Sequence, residues 1–355
     1  MLIAGRTYRD LRAAFGRGAY DQIVRDGPAV AAILQADATQ QELVPATALL
    51  VGAALAEQEL YTDAIAWLEY GLARLPGTAS VAEVAGGHWH HRLLADLYLL
   101  TGRWDSASGY LDWLARPEQP LDSRLAATRG QAMLAAARGR FDDAHLLVNA
   151  AADLARRAHS SALAAMVEAD RALIVAAQGR LLEAVRFTEE VAPRLAAPGR
   201  APEQRWANAV AAALLTTMAR LLATAGDLMT ATRYLIEAGV PVVATGRSYW
   251  SAQLDLARGV VWREGGEAER AEPAAIRAVQ ELDRLGARPA AAVARLEEAR
   301  LAEARGHLLS ARRLYERAWR ECAALGLSRE TSGIRARLAT LGRETDESSE
   351  SWVVE

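Results

Sequence analysis

Apolar positions recur along this chain with helical spacing, and the runs are broken at regular intervals by short polar turns. The clearest stretch is Leu94-Ala-Asp-Leu-Tyr-Leu-Leu-Thr-Gly-Arg-Trp-Asp-Ser-Ala107. It reads as an apolar helix, a turn at Gly102, a bulky Trp104, and then Ala107 opening a second helix. The same figure returns at Gly139-Arg-Phe-Asp-Asp-Ala144, Gly179-Arg-Leu-Leu-Glu-Ala184, Gly226-Asp-Leu-Met-Thr-Ala231, Gly266-Glu-Ala-Glu-Arg-Ala271 and Gly306-His-Leu-Leu-Ser-Ala311. Glu59 replaces glycine in Glu59-Leu-Tyr-Thr-Asp-Ala64, and Gly18-Ala-Tyr-Asp-Gln-Ile23 is a degenerate first copy. The turn positions 18, 59, 102, 139, 179, 226, 266 and 306 step by 41, 43, 37, 40, 47, 40 and 40 residues.

Each residue type has a physical reason. Glycine ends the first helix in the left-handed conformation without steric cost. The bulky residue plugs the gap between the paired helices, and the small alanine lets the second helix approach the first. Every pair leaves an apolar face open, so neighbours must stack to bury it. Pro- and Gly-bearing breaks at Leu75-Pro-Gly-Thr78, Arg116-Pro-Glu-Gln-Pro120, Ala197-Pro-Gly-Arg-Ala-Pro202 and Gly239-Val-Pro241 read as loops between repeats. A last helix, about Ser328 to Leu341, caps the array. Residues 1–341 then form one domain and 342–355 a flexible acidic tail.

These residues resemble the tetratricopeptide repeat family. Leu94, Ala95, Tyr98, Gly102, Trp104, Ala107 and Leu111 carry the best match, and Val51, Gly52, Leu55, Tyr61, Ala64, Leu68 and Pro76 a second. The departure is the period, near 40 residues here against about 34 in the standard repeat. It is similar to the longer-helix variants of bacterial signalling regulators and kinesin light chains. The resemblance implies an all-α, right-handed superhelical solenoid of about eight helix pairs plus the C-terminal capping helix. It says little about function, because repeat folds host many partners.

Composition narrows the function. Alanine and leucine dominate an apolar share of 52%, which fits an all-helical chain. All 41 basic side chains are arginine, and the net charge of -3 lacks the basic excess of a nucleic-acid binder. The single cysteine, Cys322, lies on an amphipathic helix and reads as a core thiol in a reducing, cytoplasmic setting. The N-terminus lacks a signal-peptide core, and no charge-free apolar run is long enough to span a bilayer. No phosphate-binding glycine loop and no Gly-x-Ser-x-Gly elbow is present, so an enzyme is not expected, and no cofactor either. Paired carboxylates such as Glu297-Glu298 read as ordinary helix surface charges. Gly86-Gly-His-Trp-His-His91 places His88 and His91 on one helix face, a weak metal candidate that supports only a second alternative, a metal-dependent activity.

In the resembled family the first helix of each pair lines the concave surface. Counting back from each turn, that face carries Trp89, Arg92, Asp96, Arg129, Met133, Met166, Thr216, Arg220, Gln253, Arg263, Glu264 and Arg300. Five arginines on one face suit carboxylates or an acidic peptide, since guanidinium pairs bidentately with carboxylate. The Lys and Asn set of the family's chaperone-tail clamp is not matched. The tail from Arg343 carries five acidic side chains and one arginine, a net of -4 that leaves the rest at +1. Its apolar end, Trp352, Val353 and Val354, is a second expected contact, on a partner or in the groove. The expectation is a scaffold or adaptor that binds a protein segment or peptide. The first alternative is a peptide- or ligand-sensing regulator that gates a partner. The ends of such arrays can also stack on a second copy.

Overall fold

The structure is a computed structural model that describes residues 7–37, 39–75, 87–196 and 201–350, without the side chains of 87–88, 201–203 and 343–350. The chain divides into two compact units, 1–130 and 131–355. The sequence reading expects one array over 1–341, whereas this boundary falls inside a helix. Repeat stacks make contacts mainly between neighbours, so nothing in the repeat pattern itself marks such a division.

The first unit holds the pairs α1 (Tyr8–Gly16) with α2 (Tyr20–Ala36), α3 (Leu43–Glu57) with α4 (Tyr61–Leu72), and α5 (Gly87–Thr101) with α6 (Trp104–Leu114), and then the start of α7 (Leu121–Ala137). The second continues with α8 (Phe141–Arg157), the pair α9 (Ser161–Ala177) and α10 (Leu181–Leu195), then α11 (Ala201–Thr224) with α12 (Leu228–Glu237) and α13 (Gly239–Thr245). It ends with α14 (Ser248–Glu264) and α15 (Ala268–Arg284), α16 (Arg288–Ala304) and α17 (Leu308–Leu325), and α18 (Ser328–Glu350). Among the described residues no strand occurs.

Every one of the eight turn positions read from sequence takes a positive φ, from 59° at Glu59 to 92° at Gly226. Each closes its helix with a backbone hydrogen bond five residues back, such as Arg103 N–H to the Tyr98 carbonyl (2.8 Å) and Glu267 N–H to the Trp262 carbonyl (2.8 Å). That is the bond pattern of a left-handed helix stop. Glu59, which has a Cβ to accommodate there, is buried and accepts a hydrogen bond from the Tyr61 hydroxyl at 3.2 Å. The sequence reading missed the second set of stops. Gly246, Gly286 and Gly326 also have positive φ, so from Gly226 to Gly326 a left-handed glycine recurs every 20 residues.

The small residues opening the second helices, Ala64, Ala107, Ala144, Ala184, Ala231, Ala271 and Ala311, are all fully buried. Closest approach is set by glycine. A Cβ on Gly52 would lie 2.7 Å from Leu68 Cγ and 3.0 Å from the Leu68 backbone nitrogen, so α3 and α4 touch backbone to backbone. Gly52→Ala is expected to lower stability by about 1–3 kcal/mol, the usual cost of overpacking. A chemical denaturation midpoint equal to wild type would show slack between these helices.

In the second unit α9, α11, α14 and α16 contact one another in succession, and each is backed by its own second helix. The first turn of α18 returns toward earlier turns. Arg329 reaches the Ala177 carbonyl at 3.5 Å, and a Cβ on Gly139 would meet Ser328 Oγ at 3.3 Å.

Two segments differ from expectation. Gly239-Val-Pro241 is not a loop but the first turn of α13, where proline's missing N–H has no helical acceptor to lose. The last helix runs on from Leu341 to Glu350, through a Glu/Asp/Ser stretch with no proline to stop it. The stretch Gln204–Thr224 of α11 is, among the described residues, long and apolar enough to cross a membrane. Here α11 packs against α9, α10, α12, α13 and α14, and the stretch contains Arg220.

Candidate functional site

The face expected to bind splits by unit. In the first unit α5 presents Arg92 and Asp96 one turn apart, with their charged groups 3.9 Å from each other. Arg129 on α7 lies within electrostatic reach of both. Burial lowers the Arg92 pKa despite Asp96 and raises that of Asp96 despite Arg92 and Arg129. Asp96 still exposes about half of its side chain (55%), so water wets this recess and the pair is a weak one. Trp89 leans back on Phe15 of α1, ring centroids 6.1 Å apart.

The histidine cluster opens α5. His91 stacks on Trp113 with centroids 4.4 Å apart, so its ring is held by α6. The His88 side chain lies outside the described residues. Among the described residues no group of three or more His, Cys, Asp or Glu could hold a metal. The histidine that stands out is His90, 3% exposed, with a buried Nδ1 that has no hydrogen-bond partner among the described residues.

In the second unit the first helices bring Arg220 (α11), Arg263 (α14) and Arg300 (α16) close together, whereas Gln253 of α14, expected on the same face, is buried with 7% exposure. Arg220 and Arg300 share a register, six residues before their turn glycines Gly226 and Gly306. The organising residue is one the sequence reading dismissed. Glu297 is not a surface charge but is 1% exposed. It accepts Arg263 Nε on one oxygen and Arg263 Nη2 on the other at 3.2 Å, with Arg300 Nη1 at 3.6 Å. Arg263 also meets Glu264 at 3.0 Å. Burial opposes the charge on Arg263, but these two carboxylates more than offset it and its pKa is raised. Arg337 on α18 and Tyr315 both donate to Glu303, at 2.8 and 2.6 Å. Tyr249 stands beside Gln253, and burial raises its pKa, so it remains a neutral hydroxyl donor.

Other expected residues are placed elsewhere. Met166 and Thr216 are not lining residues: both are in the core, and the Thr216 hydroxyl donates to the Ala212 carbonyl at 2.6 Å. Both face a neighbouring helix of the stack and not solvent. Met133 is half-buried. Cys322 is fully buried and its thiol is pushed up to about 12 by burial, so it is a neutral core group. Trp352, Val353 and Val354 lie outside the described residues. A cleft at the start of α14 is already charge-paired, with Arg277 Nε on Asp255 at 2.9 Å.

No protein-family model matches the sequence, and no curated protein does. Solved structures do. A Rap conjugation gene regulator of plasmid pLS20 in complex with the Phr* peptide aligns with a TM-score of 0.62 at 13% identity, covering 81% of this chain and 76% of that one. A Rap protein complexed with competence and sporulation factor aligns with a TM-score of 0.55 at 12% identity, over 91% and 80%. Aspartyl phosphate phosphatase F from Bacillus subtilis aligns at 0.50 and 11% identity, over 88% and 74%. At these identities the likeness concerns fold, and the chain has the all-α, tetratricopeptide-like helical-repeat fold.

Proposed function

We propose that this chain is a non-enzymatic, cytoplasmic regulator or adaptor that holds a peptide or protein segment against its first helices. The observation that carries the reading is the ionic set Arg220, Arg263, Glu297 and Arg300 on consecutive first helices. Packing alone asks for alanine and leucine there, and buried ions contribute little net stability over apolar residues. A face that keeps them is suited to recognition, where oriented guanidinium groups meet carboxylates. Two of the structurally similar proteins were solved with a bound peptide or factor, which supports the same use of the fold. The contact of the α18 first turn with the Ala177 carbonyl favours a gated version, in which a ligand on this face shifts α18.

The test compares affinity capture from the native host using wild type, Arg300→Glu and Arg312→Glu, the last an exposed control. Proteins or peptides retained by wild type and by Arg312→Glu but lost with Arg300→Glu are the expected result. Identical recovery with all three overturns the reading.

A further inference from the structure

The arginines of the second unit's ionic face are not equivalent. Arg263 is bound by two carboxylates and Arg300 shares Glu297. The Arg220 side chain makes no hydrogen bond or ion pair with any described residue, and its Nε is buried without an acceptor among them. It is half-buried, and burial lowers its pKa although Tyr249, Glu330 and Glu297 lie within electrostatic reach. A guanidinium stripped of part of its water and given no partner is a cost to the folded chain. Glu297 is engaged by Arg263 on both oxygens and by Arg300 on one, and forms no bond to Arg220. Glu330, on the first turn of α18, is near enough to act through space but forms no bond to it.

We propose that Arg220 is the recognition residue of a carboxylate-binding subsite on this face, with Arg300 as the second cation and the Tyr249 hydroxyl as a neutral donor. The surrounding charges argue for a weakly charged ligand. Arg263 and Arg300 are met by Glu264 and Glu297 within bonding distance, and Arg220 has only carboxylates that act through space, Glu330 and Glu297, to balance it. A carboxylate supplies one negative charge and two acceptors to a planar fork. A doubly charged phosphate would also have to sit near Glu297 and Glu330. The carboxylate can come from a peptide C-terminus or from an Asp or Glu side chain. The proposal rests on the reading of this face as a peptide-binding surface.

The experiment follows the Arg220 Nε–Hε resonance in the full chain labelled with 15N-arginine, assigned by its absence in Arg220→Gln. Four probes are titrated: N-acetyl-tetraalanine as free acid, the same peptide amidated, an amidated peptide with one central Asp, and inorganic phosphate. The expected result is a saturable shift with at least one carboxylate-bearing peptide and none with amidated tetraalanine. Response to the free acid alone assigns a terminal carboxylate, and response to the Asp peptide assigns a side chain. In Arg220→Gln the same peptide, followed through Arg300, should bind about tenfold more weakly or less. A second variant reads the unpaired charge directly: Arg220→Met should raise the melting temperature of the ligand-free protein. No shift with any carboxylate, a shift with phosphate alone, or a lower melting temperature for Arg220→Met overturns the subsite. If capture in the Arg300→Glu comparison still succeeds while Arg220 stays silent, the subsite fails and the peptide-binding surface stands.

Discussion

Replacing Glu297 by alanine is expected to cost about 3–5 kcal/mol, the range for removing one partner of a buried ion pair. The side chain is 1% exposed and Arg263 beside it 10%, so water cannot take over the lost contact. Glu264 stays with Arg263 at 3.0 Å, which places the loss toward the lower end of that range. The penalty belongs to the stranded guanidinium rather than to the bond itself. The double variant Arg263→Met/Glu297→Leu should therefore recover most of the stability, since apolar pairs of similar volume replace buried ions at little cost. Urea unfolding of wild type, the single and the double variant measures both effects. A Glu297→Ala loss under about 1 kcal/mol would place the pair among solvated surface bridges and would falsify the buried-network account.

The fold was legible because its rule is local and repeated. Gly102, Trp104 and Ala107 answer one steric question, how two helices turn and close, and each later copy answers it again. The seven glycine turns therefore adopt the conformation that their residue type implies, and Glu59 follows them by position in the repeat. The site was only half legible. Arg220 and Arg300 were found because charge in a helix register near the turn is visible in sequence. Met166 and Thr216 are core residues that the sequence reading put on the open face, because the register gives a helix face, not whether a neighbouring helix covers it. Glu297 was missed for the complementary reason. Beside Glu298 it looks like a solvated charge, and only Arg263, 34 residues away on a neighbouring helix, explains its burial. The period of the glycines explains the regularity of the later part of the second unit: one left-handed stop every 20 residues from Gly226 to Gly326. Gly239 breaks that spacing and has no positive φ, in keeping with its place inside the α12–α13 segment rather than at a stop.

Acidification should weaken the first unit through a single histidine. His90 is 3% exposed, and burial first, then the neighbouring His91, lowers its pKa from 6.5 to about 4. Among the described residues its Nδ1 has no acceptor to receive a proton's hydrogen bond. In the unfolded chain the ring protonates near its ordinary pKa, so between about pH 6.5 and 4 the unfolded state binds more protons than the folded one. Stability from this group is complete above that window and falls as the pH drops through it. The depression of the pKa corresponds to about 3 kcal/mol lost by pH 4. His90→Leu removes the titration and should show a flatter stability profile over the same range, although its stability at pH 7 can differ through packing. The measurement is the urea midpoint of both proteins at several pH values, with the His90 ring followed by NMR. A His90 titration midpoint near 6.5, or parallel profiles for the two proteins, would mean that the folded state accepts the charge and that the acid sensitivity lies elsewhere.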